Sequence, residues 1–163
     1  MKKSIILSLT ALLAVLLLTA CSSLTGKKGY FQLITEVTDS RITYRYSQDE
    51  ILQQTIESTN LYSNLGIKSA KEAKELMQDS FAQYSNIKGV SYKIAYKDTY
   101  VVQTVAIDYE KADAAELAKI PKLGDQLPKE DQGSYKKMKE FLVDQVGYTE
   151  VKDGKFIHLK TSK

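Results

Sequence analysis

Few side chains of this chain could carry chemistry, and the first of them is Cys21. It is the single cysteine among 163 residues, so it has no intrachain partner for a disulfide bond. It directly follows an apolar run, in the stretch LLLTACSSL at residues 16–24. A thiol could serve there as a nucleophile, a redox group or an attachment point, and the segment before it decides among these roles.

The remaining candidates are one histidine and one pair of carboxylates. His158 is the single histidine, which excludes a site with several histidine ligands. Asp108 and Glu110 share one face at the end of a predicted strand, but they lack the glycine and the oxygen ligands of a calcium loop. No G-x-S-x-G, Walker or dinucleotide-binding motif is present. The sequence therefore predicts no catalytic residue, no metal, no cofactor and no enzymatic activity.

The segment before Cys21 has the organisation of a secretory signal. Met1-Lys2-Lys3 is positively charged, and residues 5–18 form an almost wholly apolar run. A spanning helix needs about 20 apolar residues, so this shorter run indicates a signal peptide. We expect residues 1–20 to be removed by cleavage between Ala20 and Cys21.

The cleavage boundary Leu18-Thr19-Ala20-Cys21 resembles the lipobox of bacterial lipoproteins, which is an aliphatic residue, two small residues and cysteine. The resemblance implies a diacylglycerol on the Cys21 sulfur and, often, a further acyl chain such as palmitate on the new amino group. Each buried CH₂ contributes about 0.8 kcal/mol, so two or three chains hold a protein stably. The alternative is a cysteine that merely ends an ordinary signal peptide.

The mature chain from Cys21 onward has the length of a single domain. Loss of Lys2 and Lys3 lowers its net charge from +3 to +1, and no basic block indicates nucleic-acid binding. We expect a lipidated cysteine and short tether at 21–29, then one domain at 30–163. The protein is then exported and anchored to the outer face of the cytoplasmic membrane, or to the outer membrane if the source has two membranes.

Five strands are predicted, at 30–37, 41–47, 51–61, 90–97 and 100–109. Alternation of apolar and polar residues indicates the strands at 41–47 and 90–97. The run at 51–61 is ambiguous, but its threonines and the short turns beside it favour a strand. Turn residues separate the first three, at Thr38-Asp39-Ser40 and Gln48-Asp49-Glu50. These three strands form a meander, and the last two form a hairpin. A further hairpin is predicted near the carboxyl end, around the turn Asp153-Gly154.

Three helices are predicted by their caps. The first starts at the capping box Ser69-x-x-Glu72, the second at Asp113-x-x-Glu116, and the third at Ser134, ending at Gly147. The apolar face predicted for the first is Ala70, Ala73, Leu76, Met77, Phe81 and Tyr84. Residues 121–133 form a long loop of the kind that is often functional or mobile. This element order predicts an α+β fold, a two-layer sandwich of an antiparallel sheet with helices packed on one face.

Tyrosine is abundant, with eleven copies. Tyr44 and Tyr46 on one predicted strand, with Tyr92 and Tyr96 on another, have the spacing of a cluster on one sheet face. One interpretation is core packing beneath the helices, since alternating aromatic residues usually face a core. The other is an exposed aromatic binding surface that recognises another envelope component.

Three stretches resemble one family: ITYRYSQDEILQQ, NLGIKSAKEAKE and YSNIKGVSYKIAYKDTYVVQTVAIDYEKAD. Together they are similar to the YehR-like lipoproteins, bacterial envelope proteins of unknown function, from about Arg41 to Glu150. The resemblance implies a two-layer α/β sandwich and supplies no catalytic residues. We therefore expect a non-enzymatic envelope lipoprotein that binds a protein or envelope partner near the membrane. The alternative is a carrier or sensor of a small apolar or envelope-derived ligand held between the sheet and the helices.

Overall fold

The computed structural model describes residues 26–77 and 82–160. Its strands are β1 (Lys27–Ile34), β2 (Thr38–Ser47), β3 (Glu50–Leu61), β4 (Val90–Tyr96), β5 (Tyr100–Asp108) and β6 (Thr149–Glu150). They form one sheet in the order β4-β5-β3-β2-β1-β6, and every neighbouring pair is antiparallel. Helices cover one face of this sheet, so the predicted α+β sandwich is confirmed.

Short helices connect and cover the strands. They are α1 (Tyr62–Leu65), α2 (Ala70–Met77), α3 (Ala114–Leu117) and α4 (Tyr135–Glu140), which continues as a π-helix over Phe141–Val146. The predicted caps are present: Asp113 accepts from the backbone of Ala115 and Glu116, and Ser134 accepts from Lys137. Gly147 ends the last helix with φ 90°, a conformation that favours glycine.

The first turn differs from its prediction. Thr38, Asp39 and Ser40 begin strand β2, and the chain reverses before them, where the Thr35 amide donates to the Thr38 carbonyl at 2.8 Å. Asp39 has turn propensity, but its carboxylate is buried and bonded to Arg41, which holds it in a strand. Strand β1 also starts three residues before its predicted position, so Lys27 and Lys28, predicted to lie in the tether, pair with β2.

The apolar core lies on the face that the helices cover, and it has three parts. Beneath α4 and the π-helix lie Phe31, Ile42, Tyr44 and Ile51, with Tyr135, Met138, Phe141 and Leu142 above them. A second part joins Ile87, Ile107, Leu117 and Ile120. A third joins Tyr62, Ala73 and Val101. In the cross-strand register Phe31 lies opposite Ile42, and Ile42 lies opposite Ile56, which keeps apolar residues on this face.

The first predicted helix differs from its predicted apolar face. Among the described residues, helix α2 covers Ala70–Met77, and Tyr84 belongs to a separate 3₁₀ turn at Ala82–Tyr84. Ala73 is buried, but Leu76 is 60% exposed, because the helix packs on the sheet through its smallest side chains. The predicted apolar face from Ala70 to Tyr84 is therefore wrong at Leu76. Phe81 lies outside the described residues.

The carboxyl-terminal hairpin is half formed. β6 pairs with β1, and the predicted turn exists as a 3₁₀ turn at Lys152–Gly154. Within the described residues no strand follows it, so that part of the prediction is wrong. Residues 156–158 instead lie on the sheet face opposite the helices, where side chains of β1 and β2 hold them. In the described part of the chain, no helix has the length and apolarity needed to cross a membrane.

Candidate functional site

The predicted attachment point and cleavage position, Cys21 and Ala20, lie outside the described residues. Their role therefore stays a prediction from the sequence. The other predicted candidates, the tyrosines, the carboxylate pair and His158, all lie within the described part of the chain.

The four candidate tyrosines share the helix-covered face, but they do not form one cluster. Strands β2 and β4 are separated by β3 and β5, which places them about 14 Å apart. Tyr44 is fully buried and therefore belongs to the core, with no surface to offer a partner. Tyr46, Tyr92 and Tyr96 are half-buried, and a binding role for them stays a prediction.

Burial suppresses ionisation of the core phenols. Tyr44 is enclosed by the rings of Phe31 and Tyr135, and desolvation raises its pKa. Its hydroxyl has no hydrogen-bond partner among the described residues. Burial, aided by the charge of Asp125, raises the pKa of Tyr109 to about 12. These phenols are therefore neutral near pH 7 and are unsuited to general acid–base chemistry there.

The carboxylate pair is engaged in separate ion pairs. Asp108 accepts from Lys111 at 2.5 Å and from Gln53 at 3.0 Å, whereas Glu110 pairs with Arg45. Burial opposes ionisation of Asp108, but the bonds from Lys111 and Gln53 outweigh it and lower the pKa of this carboxyl. Across residues 26–77 and 82–160, no three histidine, cysteine or acidic side chains cluster as metal ligands.

A cleft of about 300 Å³ lies between the sheet and the loop at 121–133. The loop contains two 3₁₀ turns, Leu123–Gln126 and Lys129–Asp131, rather than an unstructured chain. The cleft is lined by residues of β3, the loop and α4 and by the residue that follows β5, namely Glu50, Ile51, Gln54, Tyr109, Lys122, Gly124, Asp125, Gln132, Gly133 and Met138. The cleft opens between the sheet and the elements that cover it, and its volume is sufficient for a small ligand.

Gln54 supplies the cleft with a hydrogen-bonding group. Its side chain is only 3% exposed, and its Oε1 accepts from the Tyr109 hydroxyl at 2.9 Å. Its Nε2 donates to no acceptor among the described residues. The sequence interpretation missed Gln54, although a polar residue at an inward-facing position of a strand is a usable signal.

Lys122 contributes a positive charge to the cleft, but the N–H donors of its ammonium group are already used. Its ammonium lies 2.8 Å from the carbonyl of Leu117, 3.2 Å from that of Ile120 and 3.1 Å from the carboxylate of Asp125. A lysine has three N–H donors, and three acceptors surround this one. No donor of Lys122 therefore remains for an anionic ligand, and Glu50 and Asp125 add negative charge to the lining.

Comparison with known proteins gives one family and several relatives. A family model described as a protein of unknown function, DUF1307, matches residues 27–149. The uncharacterized lipoprotein Lin0239 of Listeria innocua is 34% identical over 113 residues, which are 69% of this chain and 73% of that protein. The uncharacterized lipoprotein YehR of Escherichia coli is 31% identical over 115 residues, or 71% and 75% of the two chains.

A solved structure has a similar fold. The NMR structure of the Escherichia coli YehR protein superposes with a TM-score of 0.66 at 29% sequence identity. The superposition covers 85% of this chain and 98% of that one.

Proposed function

This chain belongs to the DUF1307 family, as the resemblance to the YehR-like lipoproteins predicted, and we propose that it is an exported lipoprotein without catalytic activity, anchored through Cys21. The observation that carries the proposal is Leu18-Thr19-Ala20-Cys21 after a charged start and a short apolar run. Relatives named as uncharacterized lipoproteins support membrane association. The anchor lies on the outer face of the cytoplasmic membrane, or on the outer membrane of a source with two membranes.

The domain acts close to that membrane. Strand β1 begins at Lys27, so only residues 22–26 connect the lipid-bearing cysteine to the sheet. Five extended residues reach about 17 Å, which is less than half the thickness of a bilayer. We infer that the domain binds an envelope protein or surface component within that reach.

The anchor is tested by Cys21→Ala in the full chain expressed in a bacterium. The variant loses labelling by an alkyne-tagged palmitate and accumulates as an unprocessed precursor, since no thiol is left to modify. Ser22→Ala, one residue away, is the matched control and keeps both labelling and processing. Normal labelling or processing of the cysteine variant contradicts the anchor.

The cleft favours a second candidate function, the carriage or sensing of a small ligand. Ile51 and Met138 offer apolar contact, and the Nε2 of Gln54 offers a donor on a side chain that is 3% exposed. Because the donors of Lys122 are used, the fitting ligand is uncharged, with an apolar body and a carbonyl oxygen for Gln54.

Two adjacent glutamines allow a matched test of this ligand site. Gln54 points into the cleft, whereas Gln53 points to the opposite face and donates to Asp108. Titration with acetanilide, an uncharged amide, shifts the NMR methyl signals of Ile51 and Met138 in the wild type and in Gln53→Leu. The shifts vanish in Gln54→Leu. A wild-type chain whose methyl signals do not move at millimolar acetanilide excludes this ligand class.

A further inference from the structure

The sheet face opposite the helices carries a polar clamp that holds the carboxyl-terminal part of the chain. The clamp consists of Tyr30 and Gln32 on β1 and of Asp39 and Arg41 on β2. All four lie in the range 27–149 that the family model matches. The segment that they hold, residues 155–158, lies beyond that range and forms neither a helix nor a strand.

Gln32 binds the segment as a neighbouring strand would. Its Oε1 accepts from the Ile157 amide at 3.0 Å, and its Nε2 donates to the Ile157 carbonyl at 2.7 Å. The same Nε2 also donates to the Asp39 carboxylate at 2.7 Å. With the segment in place, Gln32 and Asp39 are 5% and 1% exposed, so both hydrogen bonds to the segment are shielded from water.

Arg41 and Tyr30 hold the aromatic residue that precedes Ile157. The guanidinium carbon of Arg41 lies 5.2 Å from the ring centroid of Phe156, and the ring of Tyr30 meets it edge-on at 6.1 Å. Asp39 fixes this guanidinium through two bonds, at 2.6 and 3.0 Å. Arg41 also donates to the Ile157 carbonyl at 3.1 Å and lies 3.2 Å from the Nδ1 of His158.

The clamp contacts few features of the segment that it holds. It contacts the N–H and the C=O of one residue, Ile157, the ring of Phe156 and the Nδ1 of His158, whereas the Ile157 side chain is 67% exposed. Main-chain bonds supply affinity and the ring pocket supplies specificity, which is the division found when proteins capture extended peptides. A segment that presents the N–H and C=O of one residue directly after an aromatic residue satisfies the contacts of Gln32 and Tyr30 and the ring contact of Arg41.

We propose that the clamp is a binding site for an extended, aromatic-bearing peptide segment of an envelope protein, and that residues 156–157 block it in cis. The identity of the partner as an envelope protein rests on the proposed function, whereas the site itself does not. Only residues 151–155 join the blocking segment to β6, so its effective concentration at the clamp is on the order of millimolar. A partner peptide must therefore displace the blocking segment, or bind while that segment is dissociated from the clamp.

The test uses two substitutions at one position of the purified mature chain. Ile157→Pro removes the amide that donates to Gln32, whereas Ile157→Ala keeps the amide and shortens a side chain that is already exposed. The probe is a fluorescein-labelled peptide of sequence KFIHLK, residues 155–160. Its fluorescence anisotropy reports at least tenfold tighter binding to Ile157→Pro than to the wild type or to Ile157→Ala.

Two further variants identify the clamp as the place of binding. Adding Gln32→Leu to Ile157→Pro abolishes the gain, and so does replacing phenylalanine by alanine in the peptide. Equal binding by the proline and alanine variants overturns the proposal, provided that the NMR signals of Tyr135 and Met138 show an intact core.

A measurement on the wild type keeps the proposal falsifiable if the proline variant does not fold. Millimolar peptide at natural isotopic abundance displaces the cis segment of the isotope-labelled wild-type protein and shifts the NMR signals of the single labelled imidazole, that of His158. Unchanged imidazole signals overturn the proposal. These experiments use no membrane, so their failure leaves the lipid anchor intact, and failure of the Cys21→Ala test leaves the clamp intact.

Discussion

The ring of Tyr135 lies face to face on the ring of Tyr46, with the centroids 3.6 Å apart and the planes 4° from parallel. This contact joins the start of helix α4 to the end of β2, just after a bulge. Tyr135 also lies over Gly29 of β1, where a Cβ atom would meet its ring carbons at 2.6 and 2.7 Å. The missing side chain at Gly29 is therefore what lets the helix approach the sheet.

Gly29→Ala tests that close approach. The added methyl group displaces the Tyr135 ring and its stack on Tyr46, so we expect the free energy of unfolding to fall by about 1–3 kcal/mol. Urea denaturation followed by circular dichroism measures the loss. Gly124→Ala is the control, since its Cβ would lie 3.4 Å from the Met138 Cε, an ordinary contact distance. Equal stability of the two variants would mean that Tyr135 does not need the space.

Tyr44→Phe removes a buried hydroxyl without a partner among the described residues. Because that hydroxyl is desolvated and gains no hydrogen bond, its removal leaves the free energy of unfolding unchanged or raises it by up to about 1 kcal/mol. Tyr148→Phe is the matched comparison, because the Tyr148 hydroxyl hydrogen-bonds Ser40 Oγ at 2.7 Å, and its loss costs about 1 kcal/mol. Thermal denaturation of both proteins checks the opposite signs, and a destabilised Tyr44→Phe contradicts the prediction.

Asp49→Asn tests how the β2–β3 turn is joined to helix α4. The hydrogen bond from the Ser134 hydroxyl at 2.7 Å, aided by that from the Lys136 amide at 2.8 Å, lowers the pKa of Asp49. A lowered pKa in the folded state stabilises the protein above the ordinary value of 3.8, and this stabilisation is lost as the pH falls through the folded pKa.

Asp49→Asn is therefore slightly less stable than the wild type at pH 7, and this difference in the free energy of unfolding shrinks on acidification below about pH 4. Urea denaturation at pH 7, 5 and 3 measures it. Glu130→Gln, a change at an exposed carboxylate in the loop, serves as the control. A difference that grows towards pH 3 is inconsistent with the stated role of Asp49.

Asp39→Asn tests the buried end of the clamp. Asp39 is 1% exposed and pairs with Arg41, so loss of its charge lowers the free energy of unfolding by about 2 kcal/mol. Glu57→Gln is the control, since Glu57 meets the same guanidinium at 3.5 Å with its side chain 42% exposed. We expect that change to cost less than about 0.5 kcal/mol. Chemical denaturation measures both losses. A larger loss of stability in Glu57→Gln than in Asp39→Asn contradicts the prediction.

Local patterns were sufficient to predict most elements of the fold. Alternation, strand-forming residues and turn signals located five strands, and the turn at Asp153-Gly154 indicated the short β6 before it. The side chains of Asp113 and Ser134 identified two helix starts. These signals all involve residues close together in the chain. Turn propensity failed at Thr38–Ser40, where a buried ion pair holds Asp39 in a strand. Helical periodicity failed at Leu76, because a helix buries only the residues that its neighbours cover.

The sequence by itself predicted a signal peptide with a lipobox pattern, the family, and the apolar faces of the strands at 41–47 and 90–97. Only the tertiary structure decided that Tyr44 is core, that Gln54 faces a cleft, and that Gln32 and Arg41 hold Phe156 and Ile157. The physical reason is distance along the chain. Periodicity and capping act over a few residues, whereas the Gln32–Ile157 contact joins groups 125 residues apart, and strand register and packing bring them together.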